Sequence, residues 1–358
     1  MSDIVNRKSE HLELALHTPV EASAGGAGWD QVRLVHQALP ELALDDVDPS
    51  LEFLGKRLAF PLLVGSMTGG TDEAGEVNRR LARAAARAGI GMALGSQRVM
   101  LKRPETAPTF AVKDAAPELP LLIANIGAVQ LGRPADGFVL DADAVRAIVD
   151  GVAADAVVFH LNPAQEAVQP EGDSDFAGLA QTMGSVARAV GVPVGVKEVG
   201  GGFSIDSARR LAAVYEWAFI ESAGRGGTSW TLIEGLRGGP RAKALGELFA
   251  DWGIPTVTSC LACVGYGGSP VIASGGLRSG LDAAKAIACG ASLTAMALPL
   301  LKAAAESEDA AYSVMLSFRD ALRIAMFLTG ARTLAELARV PRYIPPQIIP
   351  EAWEGRRS

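Results

Sequence analysis

Eight short apolar runs, separated by longer alanine-rich amphipathic stretches, restrict this chain to an α/β fold. The runs are residues 62–65, 91–95, 121–124, 156–161, 194–197, 217–221, 271–274 and 292–298. Helical patterns fall between them at 76–88, 142–153, 176–190, 204–214 and 281–289. Pro61, Pro120, Pro193 and Pro270 stand just before four of the runs, where a turn out of a helix belongs. β-Branched stretches such as Ala156-Val157-Val158-Phe159 favour strands over buried helix segments. Eight strands, each feeding a crossover, fit a closed (β/α)8 TIM barrel; an open doubly wound sheet is the rival. The barrel is expected over 56–303, preceded by an N-terminal extension (1–55). A C-terminal helical segment and tail (304–358) follows, with helices near 309–328 and 333–338 and a loose tail from Pro341.

Composition narrows the partners. Hydrophobic residues make up 49% of the 358, enough for a large core. The net charge of -7 comes without a basic stripe, which argues against nucleic acid. No uncharged apolar run reaches about 18 residues, so no membrane span is expected. The start lacks an apolar leader and the three cysteines cannot all pair, which together read as a reduced, cytoplasmic protein.

Residues that follow the strands of such a barrel converge on one mouth. Here they are Ser66-Met67-Thr68-Gly69-Gly70, then Ser96-Gln97-Arg98, then Asn125. The fourth run ends in His160-Leu161-Asn162-Pro163-Ala164-Gln165-Glu166 and the fifth in Lys197-Glu198. Gly226-Gly227-Thr228-Ser229-Trp230 follows the sixth, Gly275-Gly276-Leu277-Arg278 the seventh, and Ala297-Leu298 closes the eighth. Singly, each has an ordinary explanation: Asn125 can cap a helix, His160 can be a satisfied core residue, Lys197 can snorkel. Together they describe a site. The glycine loop ahead of a helix offers N–H groups to a phosphate, and Lys197 can face negative charge inside the mouth.

Six blocks in order resemble the type 2, FMN-dependent isopentenyl diphosphate isomerases. They are Arg7-Lys8-Ser9-Glu10-His11, Leu34-Val35-His36-Gln37-Ala38-Leu39-Pro40, Ser66 to Gly70, His160 to Glu166, Val196-Lys197-Glu198-Val199-Gly200 and Gly226 to Trp230. The resemblance implies that Arg7, Lys8, Ser96, Gln97 and Arg98 bind a substrate diphosphate. It implies that Gln165 contacts substrate, that His11 and His160 line the catalytic site, and that Glu166 holds Mg2+. FMN would be contacted by Ser66, Met67, Thr68, Ser96, Asn125, Lys197 and Thr228. Its phosphate would rest on Gly275, Gly276 and Arg278, with Ala297 and Leu298 closing over it. The implied reaction shifts a double bond from isopentenyl to dimethylallyl diphosphate. Reduced FMN would be the acid/base agent, with NAD(P)H or a reductase supplying electrons. The family forms tetramers or larger assemblies, so a homo-oligomer is expected.

The chain departs from the family pattern at Glu221-Ser222, where Asp-Val is frequent, and at Ser292, Ala295, Gly201 and Phe203. Cys260-Leu261-Ala262-Cys263 reads as a packed helix face, since zinc would need a second pair or a nearby histidine. Trp230 can gate the mouth or pack the loop, with packing the simpler reading, and His17 and His36 read as structural or surface residues. Two rivals keep the barrel: an FMN-dependent oxidoreductase, and an inosinate dehydrogenase-like enzyme, which would want a nucleophilic cysteine after the sixth strand. A third is a non-catalytic flavin binder.

Overall fold

The computed structural model describes residues 4–23 and 26–353, so the extreme ends of the chain lie outside the described residues. The N-terminal extension opens with helix α1 (Ile4–His17), then strand β1 (Arg33–Leu34) and a hairpin of β2 (Leu51–Phe53) and β3 (Lys56–Leu58). The barrel alternates β4 (Leu62–Val64), α2 (Asp72–Ala88), β5 (Gly91–Ala93), α3 (Arg98–Lys102), β6 (Leu122–Gly127), α4 (Ala142–Gly151) and β7 (Ala156–Leu161). It continues with α5 (Pro163–Val168), α6 (Leu179–Ala189), β8 (Val194–Glu198), α7 (Ile205–Val214) and β9 (Phe219–Glu221). Three helices then precede the next strand: α8 (Trp230–Arg237), α9 (Pro240–Leu248) and α10 (Thr256–Tyr266). The circuit ends with β10 (Val271–Ala273), α11 (Gly280–Ala288), β11 (Leu293–Met296) and α12 (Leu298–Glu306). Beyond it lie α13 (Glu308–Leu328), α14 (Leu334–Leu337) and β12 (Arg342–Tyr343).

Strands β4 to β11 pair in parallel, and β11 closes on β4 through Thr294 to Leu62, Ala295 to Leu63 and Met296 to Val64. Each of the eight apolar runs holds one of these strands. The third strand extends to Gly127, so Asn125 lies within it rather than after it. Local chemistry sets the helix limits. Thr71 caps α2 by accepting from Ala74 N, and Gly89 ends it at φ +70. Ser279 and Asp282 form a capping box on α11.

The barrel interior is filled by Leu63, Ala93, Ile123, Val158, Phe219, Ile272 and Leu293. Gly195 makes room for Phe219, because a Cβ there would lie 2.3 Å from the ring. The hairpin adds Phe53 and Leu58 to this cluster from the end where β4 starts, sealing that end. Burial of each large side chain contributes ~1.5–3 kcal/mol. The open end is therefore the one carrying the C-terminal ends of the strands.

Within the described residues, the tail from Pro341 does not run loose. Strand β12 pairs antiparallel with β1, Thr258 Oγ1 donates to Ile348 O at 2.9 Å, and Ile348 is buried. Proline removes backbone donors but leaves carbonyls and apolar rings able to dock, which the compositional reading of a loose tail overlooked. Helix α13 lies against α2, α11 and α12. Among the described residues no helix is long and apolar enough to cross a membrane.

Candidate active site

Two adjoining clefts occupy the open mouth. The first, about 940 Å³, is bounded by Ser66 to Thr68, Lys197, Glu221, Thr228, Ser274 to Arg278 and Ala295 to Leu298. The second, about 990 Å³, is polar and draws Arg7, Lys8 and His11 from α1. It also draws Ser96, Arg98, Asn125, His160, Asn162, Gln165 and Glu166 from the barrel. His11, Ser66, Met67, Thr68, Lys197, Val199 and Trp230 line both.

In the first cleft, Gly275 and Gly276 take φ +97 and +79. A Cβ on them would lie 2.2 Å from Gly224 O and 2.1 Å from Gly226 O. Only glycine lets these loops nest together, leaving backbone rather than side chain at the rim. Arg278 donates to Glu21 and, at 2.8 Å, to Leu277 O. Ser66 Oγ is buried and has no hydrogen-bond partner among the described residues. An orphaned hydroxyl, a buried lysine and a glycine loop at a helix start suit a flat, heteroatom-rich ring bearing a phosphate. Lys197 donates to Glu198 O at 3.2 Å; burial lowers its pKa, while Glu221 and Glu198 oppose that. Burial raises the Glu198 carboxyl, against N–H donors from Val199 at 2.6 Å, Gly200 at 2.6 Å, Gly202 at 3.2 Å and Gly201.

In the second cleft, burial and the charges of Lys197 and Lys8 push His160 down to about 3, so its ring is neutral at physiological pH. Asn125 Nδ2 donates to Leu94 O at 3.0 Å, which leaves Asn125 Oδ1 to accept from His160 Nδ1 at 2.8 Å. The neutral tautomer assigned by this network leaves Nε2 as the acceptor. Arg98 pairs with Asp136 at 2.5 Å and Asp173 at 3.5 Å. Lys8 Nζ donates to Ser96 O at 2.9 Å.

Glu166 accepts from Asn162 Nδ2 at 2.9 Å and from Asp173 N at 2.7 Å, and burial raises its pKa. Asn162 Oδ1, beside it, is buried without a partner among the described residues. No group of three or more His, Cys, Asp or Glu among them could hold a metal ion. A carboxylate and an amide oxygen form an incomplete hard-oxygen set, of the kind Mg2+ completes with phosphate oxygens and water.

Of the residues that the resemblance gives a binding, catalytic or metal role, all but one line the mouth. Gln97 is fully buried and lines neither cleft; its Oε1 accepts from Asn125 N at 2.9 Å and its Nε2 contacts Met100 Sδ at 3.4 Å. As the residue just before α3 it turns inward, while Ser96 and Arg98 face the cleft. Trp230 walls both clefts and meets the His11 ring edge-on at 5.3 Å, so it is more than loop packing. Arg7 and Lys8 sit on a docked helix, not a loose tail.

Sequence reasoning missed Glu234. It is fully buried on α8, where its Oε1 accepts from Gln165 Nε2 at 2.7 Å and lies 2.9 Å from His11 Nε2. Burial would raise its pKa, but His11, Gln165 and Arg237 together hold it well below the carboxylate range. Burial lowers His11, so Arg237 is the lasting cation beside it. The available signal was the Glu234/Arg237 spacing on a helix opening directly from the glycine loop, which looks like an ordinary surface pair.

The family model for FMN-dependent dehydrogenases matches residues 254–341. An isopentenyl-diphosphate delta-isomerase of Synechococcus is 46% identical over 94% of this chain and 96% of its own length. Enzymes of the same name from Halobacterium salinarum (44%, covering 94% and 92%) and Methanothermobacter thermautotrophicus (41%, covering 94% and 93%) are also similar. Among solved structures, mandelate oxidase with (S)-2-phenylpropionate superposes with a TM-score of 0.64 at 21% identity, covering 96% of this chain and 98% of that one. That likeness is one of fold. The loop after β9 carries no thiol, and Cys260, Cys263 and Cys289 are all buried.

Proposed function

Because the chain belongs to the isopentenyl-diphosphate delta-isomerase family, we propose that it shifts the double bond of isopentenyl diphosphate to give dimethylallyl diphosphate. FMN lies in the glycine-lined cleft and the diphosphate in the polar one. The observation that carries this reading is the pair of contrasting clefts sharing one wall, with Lys197, Ser66 and His11 on it.

In this reading Gly275, Gly276 and Arg278 take the flavin phosphate, with Ala297 and Leu298 alongside. Ser66, Met67, Thr68, Ser96, Asn125 and Thr228 hold the ring. Bound and reduced, FMN supplies an electron-rich ring that can give a proton to a weakly basic alkene and accept one back. Lys197 fixes a cation in a low-dielectric site, where charge developing in the transition state is stabilised most. Arg7, Lys8, Ser96 and Arg98 grip the diphosphate, and Arg suits its oxygens by its planar fork. Glu166, with the free Asn162 oxygen, holds Mg2+ against it. Gln165 lies between the substrate and the ionised Glu234, so the buried carboxylate orients the amide and favours positive charge nearby. His11, neutral His160 and Trp230 exclude water from the carbon end. NAD(P)H serves as reductant, the working site is the cytoplasm, and the assembly is a homo-oligomer.

Product analysis by NMR tests this, using isopentenyl diphosphate, Mg2+ and protein with FMN reduced by dithionite. Dimethylallyl diphosphate should form with reduced flavin and not with oxidised. Full activity with oxidised flavin, or no product at all, overturns the proposal.

A further inference from the structure

Between residues 6 and 10 helix α1 has no apolar side chain to bury, yet it delivers Arg7 and Lys8 to the mouth. Leu12 and Ala15, later in the helix, are buried. Polar contacts fasten Arg7, Lys8 and Glu10. Lys8 reaches Ser96 O, and Arg7 lies 3.8 Å from Glu171. The third contact is Glu10, whose Oε2 accepts from Arg237 Nε at 2.9 Å.

Arg237 does more than hold Glu10. Its side chain is 5% exposed. Its Nη2 donates to Glu171 at 3.0 Å, and its Nη1 donates to Glu234 Oε2. One guanidinium thus joins α1, the segment after α5, and α8. Each of its carboxylate partners leads to the site: Glu171 to Arg7, Glu234 to Gln165 and His11, and Glu10 to the helix bearing Lys8. Arg237 itself lines neither cleft. Only a planar fork of donors can serve three carboxylates at once; an ammonium serves them poorly. The charge balance also requires it, because Glu234 is buried and an unpaired buried carboxylate is costly.

We propose that Arg237 is a positioning residue that fastens the diphosphate-binding end of α1 over the mouth and locks the Gln165–Glu234 pair to it. It acts through its partners and touches no substrate. The proposal deepens the isomerase reading and rests on it for the kinetic arm of its test, while the structural arm stands alone.

The test uses full-length, FMN-loaded protein with Arg237→Met and Arg237→Lys. Trypsin cleaves after Arg7 and Lys8, so loss of the N-terminal residues, followed by mass spectrometry, reports release of α1. In Arg237→Met, cleavage should be about tenfold faster and KM for isopentenyl diphosphate about tenfold higher, the scale of one lost charge-assisted hydrogen bond. Its kcat should also fall, by up to about 100-fold, through misplacement of Gln165. FMN affinity should stay within about twofold, because Arg237 lies outside that cleft. Arg237→Lys keeps a cation beside Glu234 but loses the fork. It should recover most of kcat while cleavage and KM stay raised.

If Arg237→Met does not give folded protein, Arg237→Met with Glu234→Gln removes both buried partners and should still show fast cleavage. Wild-type cleavage and KM in Arg237→Met, wild-type cleavage in the double variant, or an Arg237→Lys protein with wild-type cleavage and KM overturns the proposal. A wild-type protein that protects α1 but never turns over isopentenyl diphosphate sinks the isomerase reading and leaves the fastening role to the protease result.

Discussion

Lys8 should take up a proton when the diphosphate binds. Its ammonium donates to Ser96 O at 2.9 Å and stands 5.3 Å from the Phe110 ring centroid. Burial first, and the charge of Arg7 second, lower its pKa from 10.5 to about 7. The other titratable group coupled to it is His160, which is neutral. A lysine in the unfolded chain stays protonated up to its ordinary value. Between about pH 7 and 10.5 the unfolded state thus binds more protons, so the docked helix gains stability as pH rises through that window. Below pH 7 the full cost of burying the charge persists. At about 1.36 kcal/mol per unit the ceiling on that cost is ~5 kcal/mol.

A diphosphate beside the ammonium favours the charged form and reverses the shift. Binding at pH 8.5 should then draw in up to about one proton per site. Calorimetric titration in buffers of different ionisation enthalpy measures this uptake. The Lys8→Met variant subtracts protons belonging to the ligand. Wild-type and Lys8→Met proteins with the same uptake at pH 8.5 would refute the reasoning.

Four further outcomes are expected. Glu166→Gln should keep FMN but lose Mg2+-dependent turnover by at least about 100-fold, and an unchanged Mg2+ titration removes Glu166 from the metal site. Gly276→Ala forces a Cβ to 2.1 Å from Gly226 O at φ +79. Left-handed strain of ~1–2 kcal/mol and crowding of ~1–3 kcal/mol should weaken FMN at least about tenfold by fluorescence titration, and a wild-type Kd counts against the loop assignment. Gln97→Leu strands the buried Asn125 N–H and should lower unfolding free energy by ~1–3 kcal/mol without raising KM for diphosphate; a raised KM with unchanged stability returns Gln97 to the substrate. The buried thiols, with Cys263 pushed up to about 12 and Cys289 to about 11, should ignore a disulfide reagent until the protein unfolds. Fast labelling of the native protein contradicts that packing.

The barrel was legible because its strands are buried on both faces, which makes each a continuous apolar run. The site was legible where strand ends supply it, as at Ser66, Lys197 and Gly275. The insertion after β9 was not, because α8 and α9 carry mixed polar faces typical of surface helices. Glu234 and Arg237 stand out from a surface pair only once α1 folds over them. The β2–β3 hairpin was missed for a related reason: three-residue strands are too short to show alternation. Gln97 turns inward because neighbours at a helix start point in different directions, and residue order alone does not say which faces the cleft.

The pairing of β11 with β4 has a consequence for biosynthesis. The first barrel strand leaves the ribosome early, but its outer edge meets its partner only after Met296 has emerged. Throughout that interval the nascent chain presents an unsatisfied row of amides and carbonyls, flanked by Leu62, Leu63 and Val64. Translation pauses before the last strand should therefore be the moments at which this chain most needs a chaperone.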